Sequence, residues 1–235
     1  AIPEETARRA KFIYINYPNN PTGAVATKTF YEKLVAWAKT YEVGVVSDLA
    51  YGALGYRGYE NPSFLSTPGA KDVGIEFYTF SKTFNMAGWR LAFAAGNDQM
   101  IEALNLIQDH LFVGIFPALQ EAGIAALLDP KSEEAVAQLN ATYDSRRDAF
   151  VQAAAKIGWK AFPSKGSFYA WMPVPEGYTS ESFADLLLEK AHVAVAPGKG
   201  FGPAGDAYVR IGLLVEPERL VEAVDRIADL QLFNN

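Results

Sequence analysis

The sequence predicts an α/β protein: a mainly parallel sheet with helices on both faces, followed by a small α+β unit. Three observations carry this. Short β-rich apolar runs alternate with helical stripes through the first half of the chain. Several of those runs end on polar residues able to do chemistry, as strands of an open α/β sheet do at their carboxyl ends. After Gly158 the pattern changes to strand-like segments interspersed with two helices.

In chain order, Phe12-Ile-Tyr-Ile-Asn16 is a β-rich run that reads as a buried strand. Tyr17-Pro-Asn-Asn-Pro-Thr-Gly23 is a loop, because two prolines, two asparagines and a glycine suit neither helix nor strand. Thr27 caps a helix to about Tyr41, with Phe30, Leu34 and Trp37 expected on one face. Residues 43–48, Val43 to Asp48, form a second strand. Strand, helix and strand then read as a right-handed βαβ unit. Leu49 to Pro68 reads as a loop region with little regular structure. Gly74 to Phe80 is a third strand. Arg90 to Gly96 is a fourth, antiparallel to its neighbour because the connection is too short for a helical crossover.

Three helices follow: from Asn97 or Asp98 to about His110, from Pro117 to about Leu128, and from Pro130 or Ser132 to about Ile157. Beyond Gly158, strands are expected at Trp159–Phe162, Ser167–Met172 and Tyr208–Gly212, with helices at Ser180–Ala191 and Glu216–Leu232. This divides the chain into a sheet-bearing part (1–130), a long interdomain helix (131–157) and a small C-terminal domain (158–235).

Composition narrows the function. Half of the 235 residues are hydrophobic and a fifth charged, as in a globular protein with a core. A net charge of −6 argues against a nucleic-acid partner held by a basic face. No apolar run reaches the roughly 18 residues of a membrane span. The absence of cysteine excludes disulfides and thiolate metal sites, and His110 and His192 have no ligand set around them, so no metal is expected. The opening residues, Ala1 to Lys11, lack an initiator Met and any leader pattern, and read like the middle of a domain.

The chemistry gathers around Tyr78-Thr-Phe-Ser-Lys-Thr-Phe-Asn-Met-Ala-Gly-Trp-Arg90. Lys82 lies between two hydroxyl residues just after a strand. Asp48 ends the preceding strand, and Asn20 lies in the loop after the first. An amide, a carboxylate and an amine are therefore expected at the same end of one sheet. Arg210 sits inside an apolar strand, an expensive place for a cation without a partner. The glycine-rich Pro197–Gly202 lacks phosphate-loop spacing and reads as a mobile loop. Tyr169 and Trp171 read as core. The pair Arg146-Arg147 is expected to face solvent or a partner chain.

Four segments resemble the signatures of class I/II, fold-type I aminotransferases: Asn19-Asn-Pro-Thr-Gly23, Ser47-Asp-Leu-Ala-Tyr51, Ser81-Lys-Thr-Phe-Asn-Met-Ala-Gly-Trp-Arg90 and Val209-Arg-Ile-Gly-Leu213. They occur in the family's order across the whole chain. The wording around Asn20 and Asp48 is similar to LL-diaminopimelate aminotransferases and their near relatives.

The resemblance implies the C-terminal part of the family's large domain plus its small domain, with pyridoxal 5′-phosphate (PLP) as cofactor. Lys82 would carry the cofactor as a Schiff base and shuttle the substrate's proton. Asp48 would pair with the pyridine nitrogen, Asn20 and Tyr51 would bond the phenolic oxygen, and Arg90, Thr79 and Ser81 would hold the phosphate. The family usually has serine at the position of Thr79, which leaves an ordinary strand threonine as the competing reading. A turn residue at Asn20 and a packed aromatic at Tyr51 compete in the same way. Arg210, with Asn20 nearby, would clamp the substrate carboxylate.

The implied substrates are an amino acid and a 2-oxo acid. The implied setting is a cytoplasmic homodimer at full length, with a role in lysine biosynthesis. Some 150 further residues would precede Ala1 by ordinary domain size. A PLP-dependent carbon–sulfur lyase shares Lys82, Asp48 and Arg210 and stays open, as does a non-catalytic sensor module on the same scaffold.

Overall fold

The computed structural model describes residues 2–111, 113–162 and 164–233. The chain forms two compact units. Unit 1 comprises Ala1–Pro18, Val25–Leu54 and Glu60–Ala137; unit 2 comprises Asn19–Ala24, Gly55–Tyr59 and Gln138–Asn235.

Unit 1 begins with the short helix α1 (Glu4–Arg9), which the sequence reading did not anticipate, and strand β1 (Phe12–Asn16). Helix α2 (Lys28–Tyr41) is capped by the Thr27 hydroxyl, which accepts from the Phe30 N–H at 3.1 Å. Its buried stripe is Tyr31, Leu34, Val35 and Ala38, the i, i+3, i+4, i+7 set of one helical face. Phe30, expected inside, lies at the edge of that stripe and packs edge-on against Tyr17. Strand β2 (Gly44–Asp48) follows.

The segment from Leu49 to Pro68 holds only two 3-10 turns, at Tyr56–Gly58 and Phe64–Ser66. Then come α3 (Ala70–Val73), β3 (Gly74–Thr79), α4 (Phe80–Thr83) and β4 (Ala92–Gly96). The sheet order is β1-β2-β3-β4, with the first three strands parallel and β4 antiparallel, as the short connection requires. Ile15, Tyr31, Leu34, Val45 and Phe64 form the core beneath it.

A buried carboxylate ties the loop to the sheet. Glu76 on β3 accepts from the Ser47 hydroxyl (3.0 Å), the Ser63 hydroxyl (2.5 Å) and the Phe64 N–H (2.8 Å).

Helix α5 (Asp98–Leu111) is capped by Asn97, whose side chain accepts from the Met100 N–H. Helix α6 (Pro117–Leu128) buries only Gly123 among its described residues. A Cβ there would lie 2.7 Å from Leu91 and 3.2 Å from Phe80, so glycine lets this helix approach the segment that carries Lys82. Helix α7 (Ser132–Lys156) runs from unit 1 into unit 2.

Unit 2 continues with β5 (Tyr169–Pro173), α8 (Ser180–Leu186), which ends in a wide turn to Ala191, β6 (Ala196–Pro197), β7 (Tyr208–Gly212) and α9 (Pro217–Ala228). The sheet order is β5-β7-β6, all antiparallel. Trp159–Phe162 is not a strand: among the described residues one backbone bond, from the Phe162 N–H to the Trp171 carbonyl at 2.9 Å, joins it to β5, too little for a ladder. Trp159 is instead a core anchor, 1% exposed, its indole N–H donating to the Pro173 carbonyl. Phe150, Phe183, Leu187, Val209, Val224 and Ile227 pack in the same core.

Arg146 and Arg147 do not face solvent. Their side chains are about 15% exposed, paired with Glu216 and with Asp144 and Asp148 respectively. The Arg147 guanidinium also lies over the Tyr56 ring at 4.5 Å. Asp144 and Asp148 on the same helix, and Glu216 further along unit 2, supply the acidic partners. Among the described residues no helix is long and apolar enough to cross a membrane, and no cluster of His, Asp and Glu could hold a metal.

Candidate active site

In unit 1 the expected groups stand at the carboxyl ends of adjacent parallel strands. Asp48 is the last residue of β2 and lies in register with Phe77 of β3, two residues before β3 ends at Thr79. Thr79 starts the turn that presents Lys82. Its hydroxyl accepts from the Ser81 N–H at 3.2 Å and lies 2.9 Å from the Ser81 hydroxyl. The added methyl group of threonine thus leaves the capping function intact. Tyr78 donates to the Thr83 hydroxyl at 2.7 Å, fixing the far side of the same turn. Ser81 and Lys82 are half-buried.

Both oxygens of Asp48 receive a donor: the Tyr14 hydroxyl at 2.7 Å and the Ala50 N–H at 3.0 Å. Among the described residues no cation pairs with this carboxylate. Tyr51, three residues on, is buried at 5% exposure. Arg90 is exposed and takes the left-handed conformation (φ 54°), as does Asn85 (φ 53°). Strain of this kind at non-glycine residues clusters at functional sites. The Arg90 guanidinium donates to the Ala87 carbonyl at 2.9 Å, and no described carboxylate neutralises it.

Unit 2 holds the other expected groups. Arg210, central in β7, donates from Nη1 to the Asn20 side-chain oxygen at 2.8 Å. The loop of Asn20 is fixed by the Asn19 carboxamide, which accepts from the Thr22 hydroxyl at 2.7 Å. The guanidinium lies over two aromatic rings, Tyr169 at 4.2 Å and Phe201 at 4.8 Å. Among the described residues no carboxylate pairs with it. A stacked cation whose only side-chain acceptor is a neutral amide presents its remaining N–H donors as a fork for an incoming carboxylate. A cleft of about 460 Å³ lies beside it, lined by Asn19, Asn20, Thr22, Trp171, Phe201 and Gly205.

Three contributors escaped the sequence reading. Tyr169 is only half-buried and stacks on Arg210. Phe201 comes from the glycine-rich segment, which is a defined turn rather than a loose loop: Gly198 packs against the Gly205 and Tyr208 carbonyls, and the Lys199 N–H donates to the Ser180 hydroxyl at 3.2 Å. Tyr14 looked like an ordinary strand residue. The period-2 alternation of β1, which puts Ile13 and Ile15 on the core side, was the signal that set Tyr14 on the opposite face.

The donor set fits PLP. A carboxylate that no cation among the described residues pairs with suits a protonated ring nitrogen, an arginine that no described carboxylate neutralises suits a phosphate, and a half-buried lysine beside two hydroxyls is the residue type for covalent attachment.

The family model for aminotransferase class I and II matches residues 1–227. The chain belongs to this family. Its enzymes use pyridoxal 5′-phosphate, and the α/β architecture with a mixed sheet corresponds to the C-terminal part of their fold. The chain is 58% identical over 233 residues to the L-glutamine–4-(methylsulfanyl)-2-oxobutanoate aminotransferase of Bacillus subtilis, covering 99% of this chain and 58% of that protein. It is 49% identical over 227 residues to the LL-diaminopimelate aminotransferase of Moorella thermoacetica, covering 97% and 58%. Among solved structures, an aminotransferase from Staphylococcus aureus superposes with a TM-score of 0.95 at 40% identity, covering 99% of this chain and 61% of that one. Apo-BacF from B. subtilis gives 0.94 at 46% identity, covering 100% and 60%. The chain thus spans about three-fifths of the length of the relatives it matches.

Proposed function

We propose that the whole protein is a PLP-dependent aminotransferase that moves an amino group from an amino acid to a 2-oxo acid. The observation that carries this is Arg210: a stacked guanidinium, set by Asn20 and without an acidic partner among the described residues, is a receptor for a small carboxylate. In this reading residues 1–130 belong to the cofactor-binding domain, 131–157 form the interdomain helix and 158–235 form the small domain.

When bound, PLP supplies the electron sink that makes the amino acid's α-proton removable. The chain's own groups do the rest. Lys82 would hold the cofactor covalently until the substrate's amine displaces it; its freed amine would then take the α-proton and deliver it to the cofactor side, so that the nitrogen stays behind. Asp48 would pair with the ring nitrogen. Arg90, with the Thr79 and Ser81 hydroxyls, would hold the phosphate. Tyr51 and Asn20 are the residues assigned to the phenolic oxygen. Arg210 would hold the substrate by its α-carboxylate.

For the substrates, the 58% identity to the B. subtilis enzyme supports glutamine as donor and 4-(methylsulfanyl)-2-oxobutanoate as acceptor. Relatives carrying the LL-diaminopimelate name, at up to 49% identity, support that amino acid as the second reading.

Borohydride reduction followed by peptide mapping tests the central assignment. Label is expected on Lys82, with turnover abolished in Lys82→Ala. Label elsewhere, or turnover retained, overturns it. Both donor–acceptor pairs are then assayed, and release of pyruvate and ammonia without any 2-oxo acid would point to a lyase instead.

A further inference from the structure

Asp48 is held at both oxygens, and the two donors differ in kind. The Ala50 N–H is local, two residues along the same chain, and closes a turn at the strand end. The Tyr14 hydroxyl comes from the neighbouring strand. Tyr14 is in register with Val46, two residues before Asp48, so its ring spans the diagonal between parallel strands to reach the carboxylate. A phenol is long enough for that reach: its hydroxyl lies 2.7 Å from the Asp48 carboxylate. The ring is 65% exposed, so little burial accounts for its placement; the 2.7 Å hydrogen bond is its defined contact.

We infer that Tyr14 is a positioning residue for the reaction: its hydroxyl fixes the orientation of the Asp48 carboxylate. The inference rests on the reading that Asp48 faces the cofactor's ring nitrogen. Without Tyr14 the carboxylate is tethered at one oxygen only and rotates about its terminal bond, whose torsional preference is broad. With Tyr14 both oxygens are fixed before any ligand arrives, so less ordering is left for the binding and chemical steps. The donor also keeps its proton. Desolvation, then the hydrogen bond to Asp48 and that residue's charge, push the Tyr14 phenol up to about 12.

The test compares Tyr14→Phe, Asp48→Ala and the double variant in the whole protein. Three readouts are taken: the dissociation constant for PLP, the ¹⁵N chemical shift of the ring nitrogen in labelled bound PLP, and kcat and KM. Tyr14→Phe should weaken PLP binding and lower kcat by about threefold to tenfold each, the worth of one hydrogen bond to a charged group at a partly open site. KM should change by less than about twofold, the ¹⁵N signal should move, and no further loss should occur in the Asp48→Ala background. A merely structural tyrosine would leave the ¹⁵N shift in place. If Asp48→Ala moves that shift and Tyr14→Phe does not, the positioning role is wrong. If neither variant moves it, the reading of Asp48 itself is wrong and the inference falls with it.

Discussion

Replacing Glu76 separates two ways of satisfying a buried site. Glu76 is 6% exposed and takes three donors: the Ser47 hydroxyl and the Phe64 N–H on Oε2, and the Ser63 hydroxyl on Oε1. Glu76→Ala leaves all three without their acceptor in a buried position. At about 1–3 kcal/mol for each stranded group, with partial relaxation, the loss should reach about 3–5 kcal/mol.

Glu76→Gln is a different case. Its oxygen can stay where Oε2 was, keeping Ser47 and the Phe64 N–H. Its NH₂ then faces Ser63, whose hydroxyl can accept as readily as donate. Only about 1 kcal/mol should be lost. Urea unfolding at neutral pH measures both values. Because Ser47 precedes Asp48 and Glu76 lies on the strand leading to Lys82, Glu76→Ala should weaken PLP binding as well. If Glu76→Ala costs less than about 1 kcal/mol, or if glutamine is as damaging as alanine, the three-donor account is refuted.

Arg210→Lys keeps the charge but loses the planar fork and its stacking, so kcat/KM for an amino-acid donor should fall by about 10–100-fold, the worth of a charge-assisted bond; steady-state assay checks this. In Gly198→Ala the new Cβ would lie 2.2 Å from the Gly205 carbonyl oxygen and 2.4 Å from that of Tyr208. The backbone bearing Phe201 must shift away, and KM for the donor should rise several-fold while the visible spectrum of the bound cofactor stays unchanged. Asp206 is held below the usual carboxylate range by the Ser180 hydroxyl and then the Ser180 N–H. A depressed carboxylate stabilises above its unfolded value, about pH 4, and loses that contribution as pH falls through the folded value. Urea midpoints measured from pH 7 down to pH 2 should therefore fall more steeply in the parent protein than in Asp206→Asn.

By itself the sequence determined what depends on local chemistry. Apolar runs, caps and short connections located β1 to β4, the longer helices α2, α5, α6 and α7, and the antiparallel turn of β4, but not the short α1, α3 and α4. Position at strand ends singled out Asp48 and Lys82, a cation inside an apolar strand singled out Arg210, and the four family-like segments tied them together. Periodicity slipped by one residue at Phe30, because the edge of a helical stripe depends on what packs against it. A strand at Trp159–Phe162 failed because pairing is decided by the neighbour, not by the run itself.

Only the tertiary structure decided the rest. Asn20 joins Arg210 across 190 positions of sequence, Tyr14 reaches Asp48 across 34, and Phe201 and Tyr169 both lie against one guanidinium. Arg146 meets Glu216 across 70 positions, and Arg147, though its acidic partners Asp144 and Asp148 are local, lies over the distant Tyr56 ring. The physical reason is the same in each case. A residue's propensity is set by its own side chain and close neighbours. The partner that makes a charge affordable or an orientation fixed comes from wherever the fold brings the chain back.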